Sequence, residues 1–484
     1  MAPKLAGRGA VDMLGGVSDH LREGPVSQGP FDVAIVGAGA VGCAIARELS
    51  GRGASCVLLE AGRDVGAGTS KANTAILHTG FDAKPGTSEA RLVARGYELL
   101  SGYADEVGIP TARLGALMVA WSGEQRDALA GIEATARENG YGEARRVEIG
   151  ELYAREPSLG PGAQGALEIP GEGILCPFTA TLAFATEAVS RGCELALSAA
   201  VTGVRSNGGA HLLETARGEI RAQWVVNAAG LRSDEVDAMF GHSDFRVTPR
   251  RGELIVFDKL ARGLVNHVLL PVPTEKTKGV LVSPTVYGNL LLGPTAEDID
   301  DKTDRSTTTA GLEALMEAGS RVVPRLTEQE VTATYVGLRA ATQHRDYQLN
   351  AYPEQRYVCA GGIRSTGITG SLAIAEWAGD ALAGAGLSLG PRPGSTETRM
   401  PNIGEYGTRP YQDDELIRGD PDYGRIVCFC ERVTRGEIDA AFRGPIPPAD
   451  PDGLRRRTRA LMGRCQGFYC GAEIVAALEA SDGD

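Results

Sequence analysis

The segment Gly37-Ala38-Gly39-Ala40-Val41-Gly42 constrains the fold more than any other part of the chain, because of what flanks it. The apolar run Phe31–Val36 precedes it and Val41–Leu49, apolar at helical spacing, follows it. In a strand–turn–helix of this kind Gly37 permits the tight turn and Gly39 lets the backbone approach a pyrophosphate. Gly42 allows helix and strand to pack closely. The pyrophosphate then meets the free N–H groups and the positive dipole end of the helix. A second apolar run, Ser55–Leu59, ends in Glu60, which is placed to accept hydrogen bonds from ribose hydroxyls. The pattern opens a doubly wound, Rossmann-like α/β sheet that binds a dinucleotide.

The next segment separates flavin from nicotinamide. Gly66–Thr79 (GAGTSKANTAILHT) is small and polar and lacks the second βαβ rhythm of a nicotinamide enzyme. Thr69 and Ser70 can reach the second phosphate, and Asn73 the flavin end. Two later glycine turns agree: Val225–Gly230 (VVNAAG) and Cys359–Gly370 (CAGGIRSTGITG). The second precedes a helix expected over Ser371–Leu382, whose N-terminus can face the flavin N1–C2 carbonyl and stabilise the reduced anion. The cofactor expected is FAD. The binding set comprises Gly37, Gly39, Val41, Gly42, Glu60, Thr69, Ser70, Asn73, Val201, Ala229, Gly230, Gly362, Ile363, Thr366 and Gly367.

The 484 residues suffice for two or three domains. The pattern assigns 1–30 to a disordered tail without a secretory core and 31–385 to an oxidoreductase unit. Within that unit 31–105, 175–235 and 335–385 are FAD-binding pieces. The inserted pieces 106–174 and 236–334 form a substrate domain, an antiparallel sheet walling a pocket. Residues 386–424, rich in Pro, Gly and charge, form a linker wrapped over the first domain, and 425–484 form a small helical domain. A net charge of −13 excludes broad nucleic-acid binding, and an anionic substrate needs a local cationic pocket. There is no apolar run of about 18 residues, so the expected location is the cytoplasm.

Of nine cysteines, Cys43, Cys56, Cys176, Cys193 and Cys359 are scattered in apolar segments and read as buried thiols. Cys428-Phe-Cys430 and Cys465-Gln-Gly-Phe-Tyr-Cys470 form a four-thiolate set on two loops, 34 residues apart. Such a set suits a [2Fe–2S] cluster or zinc. The C-x-C half is less usual for zinc. Arg455–Arg457 and Arg459 are expected on a solvated helix face.

From Phe31 to about Ala385 the chain resembles the D-amino-acid-oxidase-like superfamily of FAD enzymes. Within it, Asn73–Arg95 with its LHTGFDAKPG core is similar to a stretch beside the flavin in FAD-dependent glycerol-3-phosphate dehydrogenases and L-2-hydroxyglutarate dehydrogenases. LRRRTR…MGRCQGFYC resembles the C-terminal domain of the anaerobic glycerol-3-phosphate dehydrogenase large subunit, itself like bacterioferritin-associated ferredoxin. The resemblance implies a dehydrogenase that oxidises a small anionic secondary alcohol, glycerol 3-phosphate first. Electrons would leave through a [2Fe–2S] cluster to an acceptor protein or a quinone-linked partner subunit, which could hold the enzyme peripherally at a membrane. The alternatives are a 2-hydroxy acid dehydrogenase, an amine-oxidising flavoenzyme and a non-catalytic electron-transfer subunit. The oligomeric state, homo- or hetero-oligomer, is open.

Alcohol oxidation needs a base for the hydroxyl proton and a cation for the substrate anion. His78 is the base candidate, where related enzymes place a His. Arg339, in Val336-Gly-Leu-Arg-Ala, is the anion candidate, where related enzymes bind phosphate or carboxylate; a planar fork suits either. Arg364 lies in the third glycine turn. Lys278 and Arg251 are weaker candidates, and His344 and Arg345 are unranked.

Overall fold

The computed structural model describes residues 26–207, 209–273 and 279–482. Lys278 and most of the expected tail, 1–25, lie outside the described residues. The rest of that tail is not loose. Val26 is buried, the Ser27 N–H donates to Glu194, and Gln28 accepts from the Arg221 N–H at 2.9 Å.

The first sheet grows outward from Phe31–Val36, buried along nearly its whole length, as a central parallel strand between helix layers must be. It pairs in parallel with Cys56–Leu59 on one side and with the end of Gly218–Asn227 on the other. Glu194–Ala196 and Tyr357–Gly361 extend the parallel set. The hairpin Val201–Asn207/Ala210–Thr215 and the strand Gln348–Tyr352 bring it to eight strands. The helix Ala40–Gly51 packs between Pro177–Ser190 and Gly367–Gly384, and Ser88–Val107 packs on the latter. Thr87 caps Ser88–Val107 by accepting the Ala90 N–H, and Gly108, at φ +82°, ends it. At Gly96 a Cβ would stand 2.2 Å from the Thr369 carbonyl, so only glycine lets these two helices meet.

The inserted domain is a nine-stranded sheet. Its long axis is the antiparallel pair Val247–Phe257 and Val331–Thr342, in register from Val247 opposite Thr342. The sheet therefore continues past the expected boundary at 335 to Thr342. One pairing departs from the antiparallel expectation: Val268–Pro271 runs parallel to Ala116–Ala120. Alternation along the strands sorts the side chains. Leu117, Val119, Ile255, Leu269 and Val282 pack into an apolar cluster with Leu315 of the helix Thr309–Val322. Met118, Leu254, Leu270, Arg250 and Arg339 face a cleft against the first domain.

A third sheet, of three short strands, was not foreseen. Ile76–Leu77 and Thr111–Ala112 both pair with Gly173–Leu175, with Leu77 opposite Gly173.

Residues 386–424 run along the first domain and reach the inserted one at Val286. Gly390 donates to Arg52, Met400 to Val107 and Glu405 to Val286, backbone to backbone. Beyond them the hairpin Ile426–Cys428/Val433–Thr434 and three helices, Arg435–Arg443, Pro451–Thr458 and Gly471–Asp482, enclose a small core. Thr434 and Glu437 close a capping box on the first of these helices. Among the described residues no helix is long and apolar enough to cross a membrane.

Candidate active site

A cleft of about 460 Å³ lies between the two large sheets. Both glycine turns that precede helices open into it. At the first, Gly37 adopts φ +103°, where a Cβ would meet the Ala228 carbonyl at 2.5 Å, and a Cβ on Gly42 would stand 1.8 Å from the Gly37 carbonyl. These two glycines make the turn and the helix contact. Gly39 faces the cleft, and only the Ser70 hydroxyl would approach a Cβ there. The helix it opens has no side-chain cap at Gly39 and no acid in its first turn. The Ser70 hydroxyl accepts the Ala40 N–H at 2.9 Å. At the second turn the helix begins at Gly367, four residues earlier than expected, again without an acid in its first turn, so its N–H groups face the cleft. Two helix N-termini free of acidic side chains on one cavity fit the phosphates and the flavin ring of FAD.

Of the sequence-predicted set, the cleft is lined by Gly39, Val41, Thr69, Ser70, Asn73, Gly230, Ile363, Thr366 and Gly367, together with His78, Arg339 and Arg364. Gly37, Gly42, Glu60, Val201, Ala229 and Gly362 are not on its wall. Glu60 is buried at the second strand's end and accepts the Ala38 and Gly62 N–H groups, each at 2.7 Å. Burial pushes its carboxyl up against those hydrogen bonds. Thr69 and Asn73 pin their loop. Thr69 donates to Leu338 on the long strand, and Asn73 takes the Ala75 N–H and bonds Ser70.

Arg339 faces the cleft from Val331–Thr342. Its guanidinium donates to the carbonyls of Thr295 at 2.6 Å, Arg251 at 3.3 Å and Arg250 at 3.4 Å. Among the described residues no carboxylate is within ion-pair distance of it. Burial, with help from the neighbouring Arg250 charge, pulls it down to about 10, so it stays protonated at neutral pH. Arg250, directly opposite Arg339 in register, also lines the cleft and holds Asp298 with two bonds of 2.6 and 2.9 Å. Sequence reasoning missed Arg250 and favoured its neighbour. Alternation sends Arg251 to the other face, where it is buried against Glu297 and Asp304. Arg364 is partly neutralised, bonding the Arg345 carbonyl and lying 3.8 Å from Glu89. His344 bonds the Asp244 carbonyl away from the cleft wall.

His78 lines the cleft, and its Nδ1 lies 3.1 Å from Oε2 of the fully buried Glu172. No motif around Glu172 announces it. Its signal is the pairing of two short strands.

In the C-terminal domain the thiols form two neighbouring pairs, Cys428 with Cys470 and Cys430 with Cys465. Among the described residues no three metal-ligand side chains already stand in ligand geometry. Backbone N–H groups nevertheless aim at the sulfurs. Those of Tyr469, Gly467 and Phe468 pull the Cys465 thiol down, while burial pushes Cys428 up to about 11 against those of Glu431 and Leu461. Four clustered thiols with amide donors fit a thiolate-bound cluster. The five other cysteines are buried and free.

The expected solvated arginine face is instead an interface: Arg456, Arg457 and Arg459 are buried. Arg457 grips Asp64 of the first domain at 2.7 and 2.8 Å, and Arg456 reaches the same carboxylate at 2.6 Å. Arg459 pairs with Glu431 and stacks over the Tyr287 ring at 3.9 Å. Asp64 from the first domain and Glu431 from the same C-terminal domain make this burial tolerable. Arg455 remains partly exposed, paired with Asp452.

A two-sheet cleft with two acid-free helix N-termini, a histidine and an arginine without a carboxylate among the described residues fits a flavin-dependent oxidoreductase. Residues 32–381 match the FAD dependent oxidoreductase family, and 426–480 match the BFD-like [2Fe-2S] binding domain. The chain belongs to that oxidoreductase family, its cofactors are FAD and a [2Fe–2S] cluster, and zinc is set aside. It is 34% identical to a glycerol 3-phosphate dehydrogenase of Caloramator mitchellensis over 93% of this chain and 94% of that one. To an anaerobic glycerol-3-phosphate dehydrogenase subunit of Escherichia coli it is 26% identical over 93% and 88%. The FAD-bound, dithionite-reduced L-alpha-glycerophosphate oxidase of Mycoplasma pneumoniae superposes with a TM-score of 0.73 at 28% identity, covering 78% of this chain and all of that one.

Proposed function

We propose that this chain is a dehydrogenase that oxidises the secondary hydroxyl of glycerol 3-phosphate to the ketone of dihydroxyacetone phosphate. Its electrons pass through the [2Fe–2S] domain to an acceptor protein or quinone-linked subunit. The reading places the enzyme in the cytoplasm, held at a membrane only through such a partner. The observation that carries it is Arg339, a half-buried guanidinium in the cleft whose partners among the described residues are carbonyls, which suits a substrate anion. Arg250, opposite it, adds a second positive group for a dianion. Similarity along nearly the whole chain to a two-domain subunit of the same activity supports the choice of substrate.

Bound FAD supplies the acceptor for a hydride from the carbinol carbon. His78 accepts the hydroxyl proton, so the carbon–oxygen double bond forms as the hydride departs. Arg339 and Arg250 hold the phosphate, and the fixed anion orients the carbinol. The apolar wall of Met118, Leu254 and Leu270 limits water at the reacting end. Lys278, a candidate read from the sequence, lies outside the described residues and takes no part here.

The test is an anaerobic titration of the holoenzyme followed by flavin absorbance. Glycerol 3-phosphate should bleach the flavin, and L-2-hydroxyglutarate and amines should not. Bleaching by a 2-hydroxy acid with none by glycerol 3-phosphate would refute the assignment. Turnover with an artificial one-electron acceptor distinguishes a complete enzyme from a non-catalytic subunit.

A further inference from the structure

We propose that Glu172 is the positioning residue for His78: its carboxylate holds the imidazole proton on Nδ1 and leaves Nε2 unprotonated, as a proton acceptor must be. The proposal rests on the reading of His78 as the base.

The three-stranded sheet creates the pair. With Leu77 opposite Gly173, the next residue of one strand, His78, comes beside the residue before the other, Glu172. Nδ1 of His78 stands 3.1 Å from Oε2, while Oε1 takes the Thr79 N–H at 2.7 Å and the Thr79 hydroxyl at 3.0 Å. Glu172 is fully buried, and among the described residues no Lys or Arg lies within ion-pair distance of it. A buried carboxylate needs donors on both oxygens. Thr79 satisfies Oε1, and for Oε2 the donor is the Nδ1–H of His78. An ionised carboxylate can only accept, so the shared proton resides on the ring nitrogen it faces.

The carboxylate cannot drift. The Gly171 N–H donates to the Tyr141 hydroxyl at 2.7 Å, the Tyr97 hydroxyl donates to the Gly171 carbonyl at 2.7 Å, and the Gly115 N–H donates to the Glu172 carbonyl at 2.9 Å. A Cβ at Gly171 would stand 2.9 Å from the Thr79 methyl, so the turn is packed against the histidine strand. The other end of His78 is tied as well, its N–H donating to the Thr369 hydroxyl at 3.1 Å, in the first turn of Gly367–Gly384. The ring held on Nδ1 belongs to a residue of the cleft wall. The other charged side chains on the described cleft wall are Asp82, Glu89, Arg250, Arg339 and Arg364.

The test uses the holoenzyme and stopped-flow reduction of the flavin by glycerol 3-phosphate. Glu172→Gln should slow reduction roughly 10- to 100-fold at neutral pH with substrate affinity unchanged. It should also move the rising limb of the pH profile to lower pH, because a lost negative charge lowers the imidazole pKa. Glu172→Asp should keep that limb near its original position. A Glu172→Gln enzyme with wild-type rate and limb, beside a slow His78→Gln enzyme, would overturn the proposal and spare the base. A His78→Gln enzyme at wild-type rate would overturn the base reading and the proposal with it. Should Glu172→Gln not fold, nitrogen-15 spectra of the histidine-labelled wild type decide. The Nδ1–H tautomer of His78 supports the proposal, and the Nε2–H tautomer refutes it.

Discussion

Arg339 is half-buried in the cleft and Arg457 buried at the domain interface, and they meet opposite company. Arg339 touches only carbonyl oxygens, whereas Arg457 clasps Asp64 with two bonds and shares it with Arg456. Taking a guanidinium out of water costs several kcal/mol. At the domain interface a carboxylate from the other domain offsets that cost within the protein, so the charge serves as a latch. In the cleft no carboxylate among the described residues offsets it, and in the proposed function an anionic substrate completes the shell. The residue type is the same, and the two sites differ in whether a carboxylate of the fold meets the guanidinium.

Four measurements would break or sharpen the contrast. The largest effect is expected for Asp64→Asn, which leaves the buried Arg457 guanidinium without a counter-charge. The loss falls on Arg457, since Arg456 keeps Asp452, and should cost about 3 kcal/mol in denaturant unfolding and expose 386–424 to proteolysis. Acid should act the same way. Burial would raise the Asp64 carboxyl, but Arg457 and Arg456 outweigh it and hold it below its ordinary value. Its stabilising contribution is therefore complete above the unfolded value of about 3.9 and is lost as pH falls through the depressed one. Proteolysis of 386–424 across that range should show the loss. Arg339→Met should lower kcat/KM for glycerol 3-phosphate by about 10²- to 10³-fold while leaving the melting temperature unchanged or higher, since it removes an unneutralised charge. A fall in stability to match would make Arg339 a structural residue. The smallest effect belongs to Lys71→Met. Its 2.6 Å pair with Asp452 joins the same interface but stands partly in solvent, so it should cost no more than about 1 kcal/mol and vanish in high salt.

Much of the cleft was legible in the chain because each part has a local signature. Gly37–Gly42 and Glu60 follow strand and helix periods, and the turn before Gly367 announces a helix start. The cysteine spacing marks a thiolate site before anything is known of its packing. His78 and Arg339 were legible from resemblance, and both line the cleft. Glu172 was not, since it lies 94 residues from His78 and meets it through two-residue strands too short to carry a period. Arg250 was passed over for Arg251 because only the strand register tells which of two adjacent arginines faces the cleft. The arginines of Pro451–Thr458 read as a solvated face because a row of like charges is ordinarily in water. Nothing nearby in sequence foretold that Asp64 would neutralise them.

The sequence by itself determined the dinucleotide fold, the flavin, the cluster-binding cysteines and the residue types available for chemistry. These depend on steric permissions and periods acting over a few residues. The tertiary structure alone decided which charges are neutralised. It left Arg339 without a carboxylate, gave Arg457 its Asp64 and set Glu172 behind His78. Pairing energies depend on distances between groups far apart in the chain, and only the packed fold fixes those distances.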